Sequence, residues 1–142
     1  MNKQLKQRWI NQGRLLVDLA VSITLLAMLL LWSGKYLLSG APLLLQVEVW
    51  AGGDKPLHFS LGFLLPLCLG WLCRIYRQPW GRQLWFFLLI ALCYAFDESL
   101  QSLLPFRDAT WADFQQSVSG WALALVVWYC LWQLLFLPTR QH

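Results

Sequence analysis

The chain has 142 residues; 58% are hydrophobic, only 13% are charged, and the formal net charge is +4. One domain fits that length, and soluble domains carry about 25% charged residues, so an ordinary water-soluble fold is excluded. The basic residues flank apolar runs instead of forming one patch, which argues against nucleic acid as a partner.

Four apolar runs, about 15–32, 57–75, 84–104 and 117–137, predict four transmembrane helices. Crossing a hydrocarbon core of about 30 Å takes about 20 residues, and helices satisfy every backbone amide within their own segment. The expected fold is therefore an all-α membrane protein, a four-helix transmembrane bundle forming a single domain over 1–142. A short interfacial segment is expected between the first and second spans.

Up to Gly13 the chain is polar and reads as a short amphipathic or disordered lead. The first run is long for a cleaved signal h-region and reads as a retained span, with Ser39-Gly40-Ala41 the weak point of that reading. Asp18 stands four positions after Arg14 near the start of the run, the spacing of an intrahelical ion pair. Residues 41–50 are too few to cross and too oily to float free, so they are expected in the interface. Ala51-Gly52-Gly53 then breaks the chain.

The second run opens Asp54-Lys55-Pro56. Proline suits a first helical turn, and Asp54 could cap it. Pro66, further in, is expected to kink this helix. Residues 77–82 form a short basic loop with Pro79 and Gly81 as turn makers. Residues 105–112 form a second short loop, and Pro138 ends the last span.

Lys3, Lys6, Arg8, Arg14, Arg74, Arg77, Arg82 and Arg140 fall on one side of this arrangement, and Lys35, Lys55 and Arg107 on the other with six acidic residues: Glu48, Asp54, Asp97, Glu98, Asp108 and Asp113. The positive-inside rule then places both termini in the cytoplasm and the acidic side outward. Trp9, Trp80 and Trp85 near one boundary and Trp32, Trp50 and Trp111 near the other form an aromatic belt. Trp121 and Trp128 lie deeper, as packing residues. Cys68, Cys73, Cys93 and Cys130 sit in apolar runs without ligand spacing and read as buried small hydrophobes.

Asp97-Glu98 interrupts the third run, and ionisable groups within a span mark a functional site with a partner nearby. By helical rise Asp97 lies about 22 Å beyond Arg82, and His58 about 24 Å before Arg74. The two share a depth, so the second and third helices are expected to share a polar site. Asp54 and His58 are i,i+4, as are Asp97 and Gln101. Asp113, Ser117 and Gly120 follow one helical stripe. Gly120 would admit a close neighbouring helix.

Adjacent carboxylates in low dielectric resist ionising together, which suits general acid–base work. Asp54, Asp97, Glu98, Asp113 and His58 are thus the candidate catalytic residues, and the acids or His58 could hold a divalent cation. Lys55, Gln101, Arg107 and Ser117 are the candidate substrate-binding residues, the two cations suiting a phosphate or carboxylate. Against these stand plainer readings: Asp54 or Asp113 as helix caps, and Asp97-Glu98 as a buried ion pair with Lys55 or Arg107 that fixes helix packing.

Asp54-Lys55-x-x-His58, Asp97-Glu98-x-x-Gln101, Arg107 and Asp113, in this order and spacing over about Gly53 to Val127, resemble the VanZ-like family. The resemblance implies a small, multi-helical integral protein of the cell (inner) membrane, in a family named for low-level resistance to the glycopeptide teicoplanin. The chain departs from the family where Ser117 replaces the usual Asn, and where Asp108-Ala109-Thr110 replaces a glycine-containing turn. Together these features lead to an outward-facing pocket for an anionic lipid or a lipid-linked envelope precursor. A metal-dependent hydrolase or transferase acting on lipid phosphates, a non-catalytic assembly factor, and a homodimer all remain open at this point.

Overall fold

The computed structural model describes residues 3–37, 42–103 and 111–135, and all its regular structure is helical. The helices are α1 (Lys3–Leu37), α2 (Pro42–Trp50), α3 (Asp54–Leu72), α4 (Trp80–Gln101) and α5 (Trp111–Leu135). Within α1, α3, α4 and α5 lie segments long and apolar enough to cross a membrane. Leu16, Ile23 and Leu30 of α1, Leu89 and Leu92 of α4, and Val126 and Leu134 of α5 point outward. An apolar exterior of that extent suits lipid and not water. The chain is a multi-pass membrane protein built as a four-helix bundle.

The helix ends depart from expectation in instructive ways. The polar lead is helical: α1 runs unbroken through Gly13. The third span starts at Trp80, with Pro79 as its extended N-cap residue and Gly81 inside the helix. The turn before it is made by Arg74, at φ 54°, and one 3-10 turn over Ile75–Arg77. Asp54 is not a cap. Gly53 occupies that position at φ 113°, next to Gly52 at φ 85°, and glycine populates such positive φ at no steric cost. Asp54 begins the helix itself, its side chain turned back to His58.

The buried residues of α3 include His58, Gly62, Pro66 and Gly70, four apart. Those of α5 include Asp113, Ser117, Gly120, Ala124 and Trp128, at steps of three and four. The two stripes meet in the most extensive helix pair of the bundle. A Cβ on Gly62 would overlap the Ser117 carbonyl, and one on Gly120 would overlap the main chain of Phe59. Lipid offers helices no hydrophobic drive to associate, so backbones that approach through small residues supply the packing. α1 lies against α3, and α4 lies mainly against α5.

α3 continues through Pro66, whose ring nitrogen cannot donate to the Gly62 carbonyl. Tyr94 of α4 supplies the missing donor. Its hydroxyl donates to the carbonyls of Leu61 and Gly62 at 3.2 and 3.4 Å. Neighbouring helices satisfy freed backbone groups in this manner.

At the end of the bundle holding the Arg74–Arg82 connection, aromatic side chains bind the helices together. Trp128 Nε1 donates to Gln83 Oε1 at 2.7 Å, and Gln83 Nε2 donates to the Gln78 carbonyl at 2.7 Å. Trp71 Nε1 donates to Asp18 at 2.8 Å, and Arg14 donates to the Tyr76 hydroxyl at 3.3 Å. Arg14 and Asp18 therefore join α1 to the α3 end rather than pairing along their own helix. Of the cysteines only Cys68 is buried; Cys73, Cys93 and Cys130 are exposed, and all four are free thiols.

Candidate functional site

The polar site forms at the opposite end of the bundle, where α1 and α4 finish and α3 and α5 begin. A partly open cavity of about 60 Å³ is lined by His58 of α3, Asp97 and Gln101 of α4, and Ser117 of α5. Leu61, Leu65 and Trp32 supply its apolar walls. Three helices thus bring polar residues to one place, with His58 and Asp97 on the same cavity.

Each polar group in the cavity is held. His58 Nδ1 lies 3.2 Å from Ser117 Oγ. Its Nε2 lies 3.4 Å from Asp54 Oδ2. The Asp97 carboxylate accepts from two donors: Trp32 Nε1 at 2.9 Å and Gln101 Nε2 at 2.7 Å. Gln101 is only 2% exposed, so its i,i+4 bond fixes the carboxylate from within the bundle while Trp32 covers it from α1. No family model, curated protein or solved structure matches the chain.

The remaining expected residues take different places. Asp113 is buried on α5 one turn before Ser117, and its carboxylate, with Asp54 and His58, completes a compact triad beside the cavity. Glu98 follows Asp97 on α4, half-buried, with its Oε1 excluded from solvent. Lys55 is exposed on the opening turn of α3. Arg107 lies outside the described residues.

Two residues of the site escaped the sequence reading. Trp32 reads as one more boundary tryptophan, yet it reaches across to Asp97. Tyr94 stands within the third apolar run and drew no reading, yet it lines the cavity and braces α3. For Tyr94 a signal existed: it lies three positions before Asp97, on the same helical stripe, and faces the carbonyl that Pro66 leaves open. For Trp32 the local sequence carries none, because its partner is 65 positions away.

Polar groups sit at one end, apolar walls lead away along the spans, and α3 and α5 both present their N-termini there. A helix N-terminus carries about half a positive elementary charge, and Asp54 and Asp113 occupy the first turns that respond to it.

Proposed function

We propose that this chain is a VanZ-like protein of the inner membrane, both termini cytoplasmic, whose pocket opens outward and takes the headgroup of an anionic lipid or lipid-linked envelope precursor. One observation carries the reading: His58, Asp97, Gln101 and Ser117, drawn from three spans, line a single cavity whose other walls are apolar. A headgroup with an attached chain matches that division, the polar part at the membrane face and the hydrocarbon along Leu61 and Leu65. The ordered motif from Asp54 to Asp113 supports the family, and the basic residues around α1 and the Arg74–Arg82 connection support the orientation. Lys55, at the start of α3, and Arg107, between α4 and α5 in sequence, are the cations for the anionic headgroup. A link to glycopeptide tolerance follows from the family resemblance alone.

The test is Asp97→Asn and Glu98→Gln, each first checked for normal membrane insertion. Binding of a polyprenyl phosphate and of phosphatidylglycerol is then measured in detergent, beside the envelope phenotype of the strain. Asp97→Asn is expected to weaken binding at least tenfold, because the amide keeps one acceptor oxygen and leaves either Trp32 or Gln101 without its own. Wild-type binding and phenotype in both well-inserted variants would refute the reading.

A further inference from the structure

Asp54, His58 and Asp113 stand together where α3 and α5 begin, and one ligand-capable atom of each lies within 4.8 Å of the other two. His58 is 4% exposed and Asp113 7%. The Asp54 side chain, at 38%, gives the triad an edge on solvent. The imidazole is already oriented. Its Nδ1 is engaged by Ser117 Oγ, which leaves Nε2 facing the Asp54 carboxylate. Histidines that ligate metals are held in this way, one nitrogen on the ion and the other bonded to a neighbour that fixes the ring. A tetrahedral ion with bonds of about 2.0–2.2 Å sets its ligand atoms about 3.4 Å apart. Nε2 and Asp54 Oδ2 already have that separation, and an Asp113 oxygen lies within 4.8 Å of ligand-capable atoms of both residues.

We propose that Asp54, His58 and Asp113 form a three-ligand site for a divalent cation of the zinc or manganese type, with its open coordination position toward the cavity. One imidazole nitrogen and two carboxylate oxygens suit those ions; calcium prefers six to eight oxygens, and Cu(I) prefers sulfur. Two carboxylates with a neutral imidazole carry a formal charge of −2, which a dication balances in a medium where unbalanced charge is costly. The arrangement that competes with the metal is a protonated His58 paired with the acids.

A cation here also changes what the cavity can bind. Its described polar lining includes Asp97, Gln101, Ser117, His58 and Tyr94, with no lysine or arginine among the lining residues. A dication beside His58 would add a positive centre able to take a phosphate oxygen. That role rests on the headgroup reading above, whereas the metal site itself does not.

The experiment uses the full chain, purified in detergent without a polyhistidine tag, stripped with chelator and dialysed against Zn²⁺ or Mn²⁺. Elemental analysis is expected to find one ion per chain. Asp54→Asn and Asp113→Asn are each expected to weaken binding at least tenfold, and Asp18→Asn, a carboxylate at the far end of the bundle, to leave it unchanged. Thermal melting of the wild-type chain gives a readout that needs no variant: Zn²⁺ or Mn²⁺ should raise the midpoint and EDTA reverse the rise. Substoichiometric metal with no thermal shift would overturn the site, as would equal binding by wild type, Asp54→Asn and Asp113→Asn. Stoichiometric metal with polyprenyl phosphate binding indifferent to EDTA would uphold the site and overturn its phosphate role. Phosphate binding by a chain that takes no metal would overturn the site and leave the headgroup reading standing.

Discussion

Gly62 of α3 and Gly120 of α5 face each other where these helices cross, so closely that a Cβ on Gly120 would come within 3.1 Å of the Gly62 carbonyl carbon. The atoms in the way are main chain, which cannot rotate aside. Gly62→Ala and Gly120→Ala must therefore push the helices apart. Each is expected to cost about 1–3 kcal/mol, the usual range for overpacking, read as a lowered thermal midpoint in detergent. Gly81→Ala is the control, because nothing lies within 4 Å of a Cβ there; it should leave the midpoint unchanged or raised. Because His58 and Ser117 flank the crossing, the α3 and α5 variants should also weaken ligand binding.

Tyr94 and Pro66 form a compensating pair. Tyr94→Phe removes the hydroxyl that donates to the Gly62 carbonyl. Leaving a buried acceptor without its donor costs about 1–3 kcal/mol. Pro66→Ala restores the helix's own amide donor to that carbonyl, so Tyr94→Phe should cost less in that background. A double-mutant cycle on thermal or denaturant unfolding measures this, and strictly additive effects would contradict it.

The link between Trp128 and Gln83 joins α5 to α4 at the other end. Trp128→Phe and Gln83→Leu each break the 2.7 Å bond. Interhelical hydrogen bonds in membranes couple by about 0.6 kcal/mol on average and 1.7 at most. The pair is expected in the upper half of that range, because Gln83 is fully buried. Headgroup binding should be untouched, since neither residue lines the cavity.

Orientation is open to direct chemistry. Cys73 is exposed at the end of α3, and Ser102 is exposed just past α4. In a chain whose other cysteines are replaced by alanine, a membrane-impermeant maleimide should reach Cys73 only after permeabilisation. With Ser102→Cys as the sole cysteine, it should label intact cells. The reverse pattern would turn the pocket toward the cytoplasm and end the envelope assignment.

The sequence alone determined the number of spans, their helical nature and the shared depth of His58 and Asp97. Those follow from local quantities: the length of apolar runs, the period of the helix and its rise per residue. It also singled out Gly120 as a point of close approach, since a glycine on a polar stripe has few other uses. The tertiary structure decided the rest. That α3 and α5 form the central pair depends on which small residues meet, and the side-chain choices along either helix do not name the partner. That Arg14 and Asp18 serve Tyr76 and Trp71 rather than each other was beyond local spacing, because interhelical donors compete with an i,i+4 pair only once the helices are packed. The same holds for Trp32 over Asp97 and for Asp113 beside Asp54 and His58. Contacts between residues tens of positions apart arise from packing, and packing is a property of the assembled bundle.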